Sequence, residues 1–204
     1  MIIIIDYQVG NLVSISNMLK RAGSNSVISS NVDLIAKASK LILPGVGSFD
    51  YGMKKLKETG LIEILNQKAL VDKIPVLGIC LGMQLMTKHS EEGDKEGLGW
   101  IDANTVKFDF KEQHNDYKVP HMGWNEVNNI QNNGLFNELN ESRFYFVHSY
   151  FVKCNDSKNI MCTTNYGFEF ISGILKDNIM GVQFHPEKSH KYGMQLMTNF
   201  INLK

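Results

Sequence analysis

Three cysteines in 204 residues, Cys80, Cys154 and Cys162, are too few and too irregularly spaced for a disulfide framework or a zinc ribbon. A reduced, cytoplasmic protein is therefore expected. Charge of one sign is not in excess either. Lys+Arg and Asp+Glu stand at 21 each, so no net field draws the chain to a polyanion, and nucleic acid is not an expected partner. Long apolar runs are missing: "MIIII" and "KLILP" are too short to cross a bilayer, which removes the membrane from the expected partners. "MIIIIDY" also lacks the basic lead and small-residue cleavage site of a signal peptide. No pair of residues shows metal-ligand spacing such as C-x2-C or H-E-x-x-H, and no G-K-[ST] marks a phosphate loop. Neither a metal nor a cofactor is expected.

What is present reads as one α/β domain over 1–204, without repeats, linkers or low-complexity stretches. "IIII" (2–5) is apolar throughout and β-branched, the pattern of a strand buried on both faces. A helix, "NLVSISNMLKRAG", follows Gly10 and Asn11 and closes at Gly23. "NSVISS" predicts a second strand, "NVDLIAKAS" a helix capped by Asn31, and "KLILP" a third strand. Residues 50–72 hold one or two amphipathic helices broken at Gly60, and "IPVLGI" is a fourth strand running into Cys80. This βαβα order predicts a parallel sheet with helices on both faces. After about residue 104 strands dominate: "NTVKF", "WNEVNN", "RFYFVHSYFVK", "NIMCTTN", "FISGILKDN" and "IMGVQFH". "KDN" marks a hairpin turn, and "HKYGMQLMTNFINL" has the spacing of a terminal helix.

In an open parallel sheet, ligands bind beyond the carboxyl ends of the strands, and Cys80 lies at such an end. "G-I-C-L-G" resembles the nucleophile elbow G-x-S-x-G with sulfur in place of oxygen. Gly78 and Gly82 would then relieve collisions with neighbouring strands. A helix starting near Leu81 would aim its positive end at the sulfur. A buried structural cysteine in a glycine-lined turn gives the same pentapeptide.

A thiolate nucleophile needs a base, and the base needs an orienting group. "QFHPEKS" offers both. In extended chain, residues i and i+2 share a side, so His185 and Glu187 are expected to face Cys80 together across Pro186. "LPGVGSF" lies at the same sheet edge. There the N–H of Val46 or Gly47, with that of Leu81, can meet an oxyanion, although P-G-V-G alone is also an ordinary turn.

"PGVGSFDYGM", "GICLGMQLM", "PHMGWNEV", "YFVHSYF" and "GVQFHPEKS" together resemble the class I, triad-type glutamine amidotransferases. Within that class the match is to the glutaminase branch of imidazole glycerol phosphate synthase, and it covers almost the whole chain. The resemblance implies a flavodoxin-like, mostly parallel sheet with a more antiparallel C-terminal half. It implies catalysis by Cys80, His185 and Glu187 through a γ-glutamyl thioester. It also implies that Gly45, Gln84, Glu92, His148, Ser149 and Tyr150 hold glutamine. A (β/α)8 cyclase subunit is implied as the partner in a heterodimer, faced by Asn11, His121, Trp124, Tyr145 and Lys188. That partner would use the ammonia to make imidazole glycerol phosphate and an aminoimidazole-carboxamide ribonucleotide in histidine biosynthesis.

Three rivals remain open on sequence. A paralogous glutaminase would feed a cyclase-like partner that aminates a sugar for surface glycans. A cysteine peptidase or γ-glutamyl hydrolase would act alone. A degenerate scaffold would carry the triad idle. Cys154 and Cys162 are expected to pack in the core.

Overall fold

Four consecutive isoleucines can be buried together only where both faces of a strand are covered. They form β1 (Ile2–Ile5), all of it buried. Each such side chain contributes about 2 kcal/mol relative to exposure. The computed structural model describes residues 1–110, 117–131, 133–139 and 142–203. β1 is flanked in parallel by β2 (Ser26–Ser29) and β3 (Lys40–Gly45). β3 pairs with β4 (Val76–Cys80) in parallel.

The alternation of the pleat divides these strands between two hydrophobic clusters. Ile2 and Ile4 join Ile42, Leu77 and Ile79 beneath α1 (Leu12–Arg21) and α6 (His190–Asn202). Ile3 and Ile5 join Leu41, Leu43 and Val76 beneath α2 (Val32–Ala36), α3 (Phe49–Glu58) and α4 (Ile62–Asn66). Helices therefore cover both faces, as the βαβα order predicts. The expected cap is in place: Asn31 Oδ1 accepts from the Leu34 N–H at 3.0 Å and starts α2. The expected break at Gly60 is there too, at a φ of +68° that glycine adopts without strain. Beyond α4 the chain runs on in a π turn, Gln67–Val71.

The second half builds the antiparallel part. The short β5 (His89–Ser90) pairs in parallel with β6 (Ala103–Lys107), an exception, while β7 (His121–Asn129) pairs antiparallel with β8 (Ser142–His148). β9 (Tyr150–Cys154), β10 (Ile160–Tyr166), β11 (Phe168–Lys176) and β12 (Ile179–Val182) complete the sheet. The main path runs β2-β1-β3-β4-β12-β11-β10-β7-β8. Its first five strands are parallel and the rest antiparallel. The 2-1-3-4 beginning is the flavodoxin-like order. The hairpin at "KDN" joins β11 to β12, with Lys176 opposite Ile179 and Asp177 at φ +52°. Among the described residues no helix is long and apolar enough to cross a membrane.

Three local expectations are corrected. "RFYFVHSYFVK" is two strands rather than one, because the chain changes partners at Ser149: β8 pairs with β7, and β9 with β6 and β11. The segment after β12 is not extended through Glu187. Strand pairing stops at Val182, and Pro186–Lys188 forms a 3-10 turn with proline at its start. Finally, only one of the two elbow glycines is crowded by a neighbouring strand. A Cβ on Gly82 would sit 1.8 Å from the Leu43 carbonyl oxygen on β3, whereas one on Gly78 would meet Met83 N at 2.8 Å and Met86 Cε at 2.7 Å. Gly78 makes room for the chain that follows Cys80, not for the sheet.

Because the obstacle at position 82 is backbone, Gly82→Ala is expected to destabilise the fold by about 3 kcal/mol, the upper end of ordinary overpacking. Denaturant unfolding checks this, and a midpoint equal to the parent's would contradict the crowding.

Candidate active site

β4 delivers Cys80 to the rim of the sheet and then reverses into α5 (Leu81–Leu85). Cys80 takes φ +54° and ψ −111° at that junction. A side chain with a Cβ is strained there, by about 1–3 kcal/mol. The strain is held by pairing on both sides: Gly45 of β3 lies opposite Cys80, and Val182 of β12 lies opposite Ile79. α5 is only five residues long, so the helix dipole expected to act on the sulfur is a minor contribution. The donor that does reach the sulfur is the Gln183 side chain, whose Nε2 lies 3.7 Å from Sγ.

His185 reaches the same place from the next strand end. Its backbone is tied to β8, with its N–H donating to the Tyr145 carbonyl at 2.9 Å. The Ser189 hydroxyl closes the turn by donating to the His185 carbonyl at 2.6 Å. Glu187 Oε1 lies 2.8 Å from His185 Nδ1, with side chains 2% and 3% exposed. The 3-10 turn, not strand alternation, brings carboxylate and imidazole together. Glu187 thus stands behind His185 and fixes the Nδ1–H tautomer. The other ring nitrogen, Nε2, has no hydrogen-bond partner among the described residues. Burial pulls the imidazole pKa down, but the nearby Cys80 sulfur and the Glu187 carboxylate outweigh it and push it up to about 10. Sulfur and imidazole thus face the same cavity.

Cys80 and His185 open into one cavity of about 470 Å3, lined also by Val46, Gly47, Ser48, Leu81, Gln84, Glu92, Pro120 and Val147–Tyr150. Val46, Gly47 and Leu81 line the same cavity as Cys80, and Gly47 at φ +98° uses the left-handed freedom of glycine. Gln84, Glu92, His148, Ser149 and Tyr150 all line the cavity as expected. Glu92 Oε2 accepts from the Phe49 N–H at 2.8 Å, capping α3 in place of Ser48, which makes no side-chain cap bond. Glu91 faces elsewhere, accepting from the Lys107 N–H at 2.8 Å. Gly45 is not a lining residue. It sits under the loop, where a Cβ would meet Tyr7 Oη at 2.7 Å and Leu81 Cβ at 2.8 Å, so its role is close packing.

The residues expected to face a partner divide. Asn11 and Lys188 are exposed, and Trp124 is 40% exposed, stacked on His190 at 5.4 Å. Lys188 Nζ lies 5.6 Å over the Tyr145 ring, and that ring meets Trp124 at 6.4 Å, so these three side chains share a face. His121 does not belong to it. It is 2% exposed, stacked between Tyr166 (4.0 Å) and Phe146 (4.8 Å). On β7, His121 points to the core side while Met122 and Trp124 are exposed.

His121 instead belongs to a buried hydrogen-bond chain. The Tyr150 carbonyl can only accept, so His148 Nδ1, 2.7 Å away, carries a hydrogen. His148 Nε2 then accepts from His121 Nδ1 at 2.9 Å, and His121 Nε2 lies 3.3 Å from the Asn125 amide. The chain requires both rings neutral, and burial lowers His121 to about 4 and His148 to about 3. Cys154 and Cys162 are free thiols pushed up by burial to about 11 and about 12, and Cys162 packs in the core. Sequence reading missed Ser48, Pro120 and Val147 in the lining, and Gln183 behind it. For Gln183 the only signal is its place two residues before His185.

The sequence matches the family model "Glutamine amidotransferase class-I" over residues 3–203. Among curated proteins, it is 59% identical to imidazole glycerol phosphate synthase subunit HisH 2 of Methanococcus maripaludis, over 98% of each chain. It is 49% identical to the protein of the same name in Pseudomonas aeruginosa, over all of both chains. Among solved structures, a putative GMP synthase subunit from Thermoplasma acidophilum superposes with a TM-score of 0.72 at 20% identity. That match covers 98% of this chain and 91% of the other. PurLQS from Thermotoga maritima gives 0.72 at 16% identity, over 98% and 97%.

The lowered histidines set an acid limit. Unfolded, both rings titrate near the ordinary 6.5; folded, they take protons only at about 4 and about 3. The unfolded state therefore binds more protons as pH falls below 6.5, and folding stability drops through that window. Unfolding free energy is expected to fall by about 2 kcal/mol or more between pH 7 and pH 5, with a shallower slope in His121→Phe. Equal slopes in the two proteins would remove the histidine chain as the cause.

Proposed function

The chain belongs to the class-I glutamine amidotransferases, and from that premise we propose that it is the glutaminase subunit of imidazole glycerol phosphate synthase. The observation that carries the chemistry is the arrangement of Cys80 with the His185–Glu187 pair on one cavity. The relatives' printed names supply the reaction it serves. We read residues 1–204 as one amidotransferase domain working in the cytoplasm, where the three free thiols are compatible with a reducing medium.

The chemistry follows from the groups in place. The Cys80 sulfur attacks the side-chain amide carbon of glutamine, and the carbonyl oxygen takes up negative charge. N–H groups of Val46 or Gly47 and of Leu81 receive that charge. His185 gives a proton from Nε2 to the departing nitrogen, the C–N bond breaks, and ammonia leaves a γ-glutamyl thioester. His185 then takes a proton from water, whose oxygen attacks the same carbon. The C–S bond breaks with its electron pair returning to sulfur, and glutamate is released. Glu187 keeps the ring oriented and balances the imidazolium. Glu92 suits the α-ammonium of glutamine, while Gln84 and the 148–150 corner bound the rest of the substrate.

Ammonia set free in water is protonated and lost, so delivery calls for a docked acceptor protein. We assign that docking to the face of Asn11, Trp124, Tyr145 and Lys188, with a (β/α)8 cyclase as the other half of a heterodimer. Flanked by Gly45 and Gly47, the Val46 peptide is free to turn its N–H away until the partner and its ligand bind. That restrains idle hydrolysis.

Cys80→Ser in the complex is expected to lower glutamine-dependent turnover by at least about a thousandfold, while turnover with added ammonium persists. An unchanged glutamine rate would refute the nucleophile. Hydrolysis by the isolated chain is expected to be much slower than in the complex with the formimino-aminoimidazole ribonucleotide of histidine synthesis. Equal rates would remove the gating role, and stimulation by a nucleotide-sugar pathway partner instead would point to sugar amination.

A further inference from the structure

Gln183 is fully buried and enters no step above. It follows β12 directly, and β12 pairs in parallel with β4, Val182 opposite Ile79. Continuing that register by one residue sets Gln183 beside Cys80. Its own N–H is held by the Ser172 carbonyl at 2.9 Å, so the side chain issues from a fixed backbone.

The orientation of its amide is dictated from a distance. The Tyr150 carbonyl oxygen has no hydrogen to give. It accepts from His148 Nδ1 at 2.7 Å and from Gln84 Nε2 at 3.2 Å. Turning the Gln84 amide over would set oxygen against oxygen there, so its NH2 must face Tyr150. The same NH2 reaches Gln183, which must therefore present Oε1, at 3.0 Å. That leaves only the Gln183 NH2 to face Sγ of Cys80, at 3.7 Å. A carbonyl that is not part of the chemistry thus decides that the sulfur meets a donor, and a donor favours a charged sulfur over a neutral one.

Resting on the glutaminase reading, we propose that Gln183 is a positioning residue for the nucleophile. Its side-chain N–H holds the Cys80 sulfur in the cavity and receives the negative charge on it. The sulfur carries that charge as it attacks, loses it in the thioester, and regains it when water displaces the γ-glutamyl group and the C–S electron pair goes back to sulfur. The contact therefore favours both the reactive state and the expulsion that ends each cycle, without touching glutamine.

The test uses Gln183→Met, similar in volume and without a donor, in the full chain alone and in the complex. The expected result is a fall in kcat of about tenfold or more, the worth of one hydrogen bond to a charged group, with KM within about twofold. Alkylation of Cys80 by iodoacetamide at pH 7 should slow in parallel in the isolated chain. Should that variant not fold, Gln183→Glu, which keeps the acceptor for Gln84, is read by the same two criteria. Any other pattern, including a loss confined to KM or to Tm, overturns the assignment. The alkylation measurement needs no glutamine. A parent complex without glutaminase activity would defeat the proposed function, while the alkylation rates would still judge Gln183.

Discussion

The backbone of Cys80 is the constraint around which the site is arranged. A left-handed φ on a residue with a side chain is unfavourable in isolation. Here it is sustained because the residue ends a central parallel strand paired on both sides. The glycines around it follow from that turn. Gly82 lets α5 approach the Leu43 carbonyl, Gly78 admits Met83 and Met86, and Gly45 brings its strand under Leu81 and Tyr7. The reward is functional: the sulfur stands clear of the strand at the carboxyl edge, where the ends of β3 and β12 bring a loop and an imidazole to meet it.

Two polar systems then converge on that sulfur from opposite sides of its chemistry. One is short and asymmetric, the His185–Glu187 pair, in which the carboxylate and the nearby sulfur outweigh burial and favour a protonated ring. The other is long and neutral, running from Asn125 through His121 and His148 to the Tyr150 carbonyl, then through Gln84 and Gln183 to Cys80. It starts on β7 at Asn125, one residue beyond Trp124 and on the opposite side of the strand. Buried networks of this kind rigidify a site when every member is satisfied. Its two imidazoles have to stay uncharged for the donors and acceptors to alternate.

Legibility in the sequence followed the range of the interactions. The isoleucine run, the Asn31 cap, the Gly60 break and the "KDN" turn are decided within a few residues, and each was placed correctly. The meeting of Cys80, His185 and Glu187 is legible because each sits in a compact motif at a strand end. The reason offered for His185 and Glu187 was nevertheless wrong in detail, since Pro186 starts a 3-10 turn where an extended strand was expected. The partner-facing place of His121 rests on the family resemblance alone; a β-strand offers either face to the same residue type, and only the pairing of β7 with β8 and β10 settles which face is covered. The split at Ser149 is hidden for a similar reason: a run of strand-forming residues interrupted only by His148 and Ser149 does not tell that its two halves pair with different strands.

By itself, then, the sequence determined the class of fold and the family, and it singled out Cys80, His185 and Glu187, which the structure brings to one rim of the sheet, because periodicity, turn residues and short motifs are local. Only the tertiary structure decided that Gln183 touches the sulfur, that Gly45 packs instead of lining the cavity, and that two histidines are tied to the substrate corner. Those facts depend on the register between strands distant in the chain. A register shift of one residue would turn every side chain to the other face.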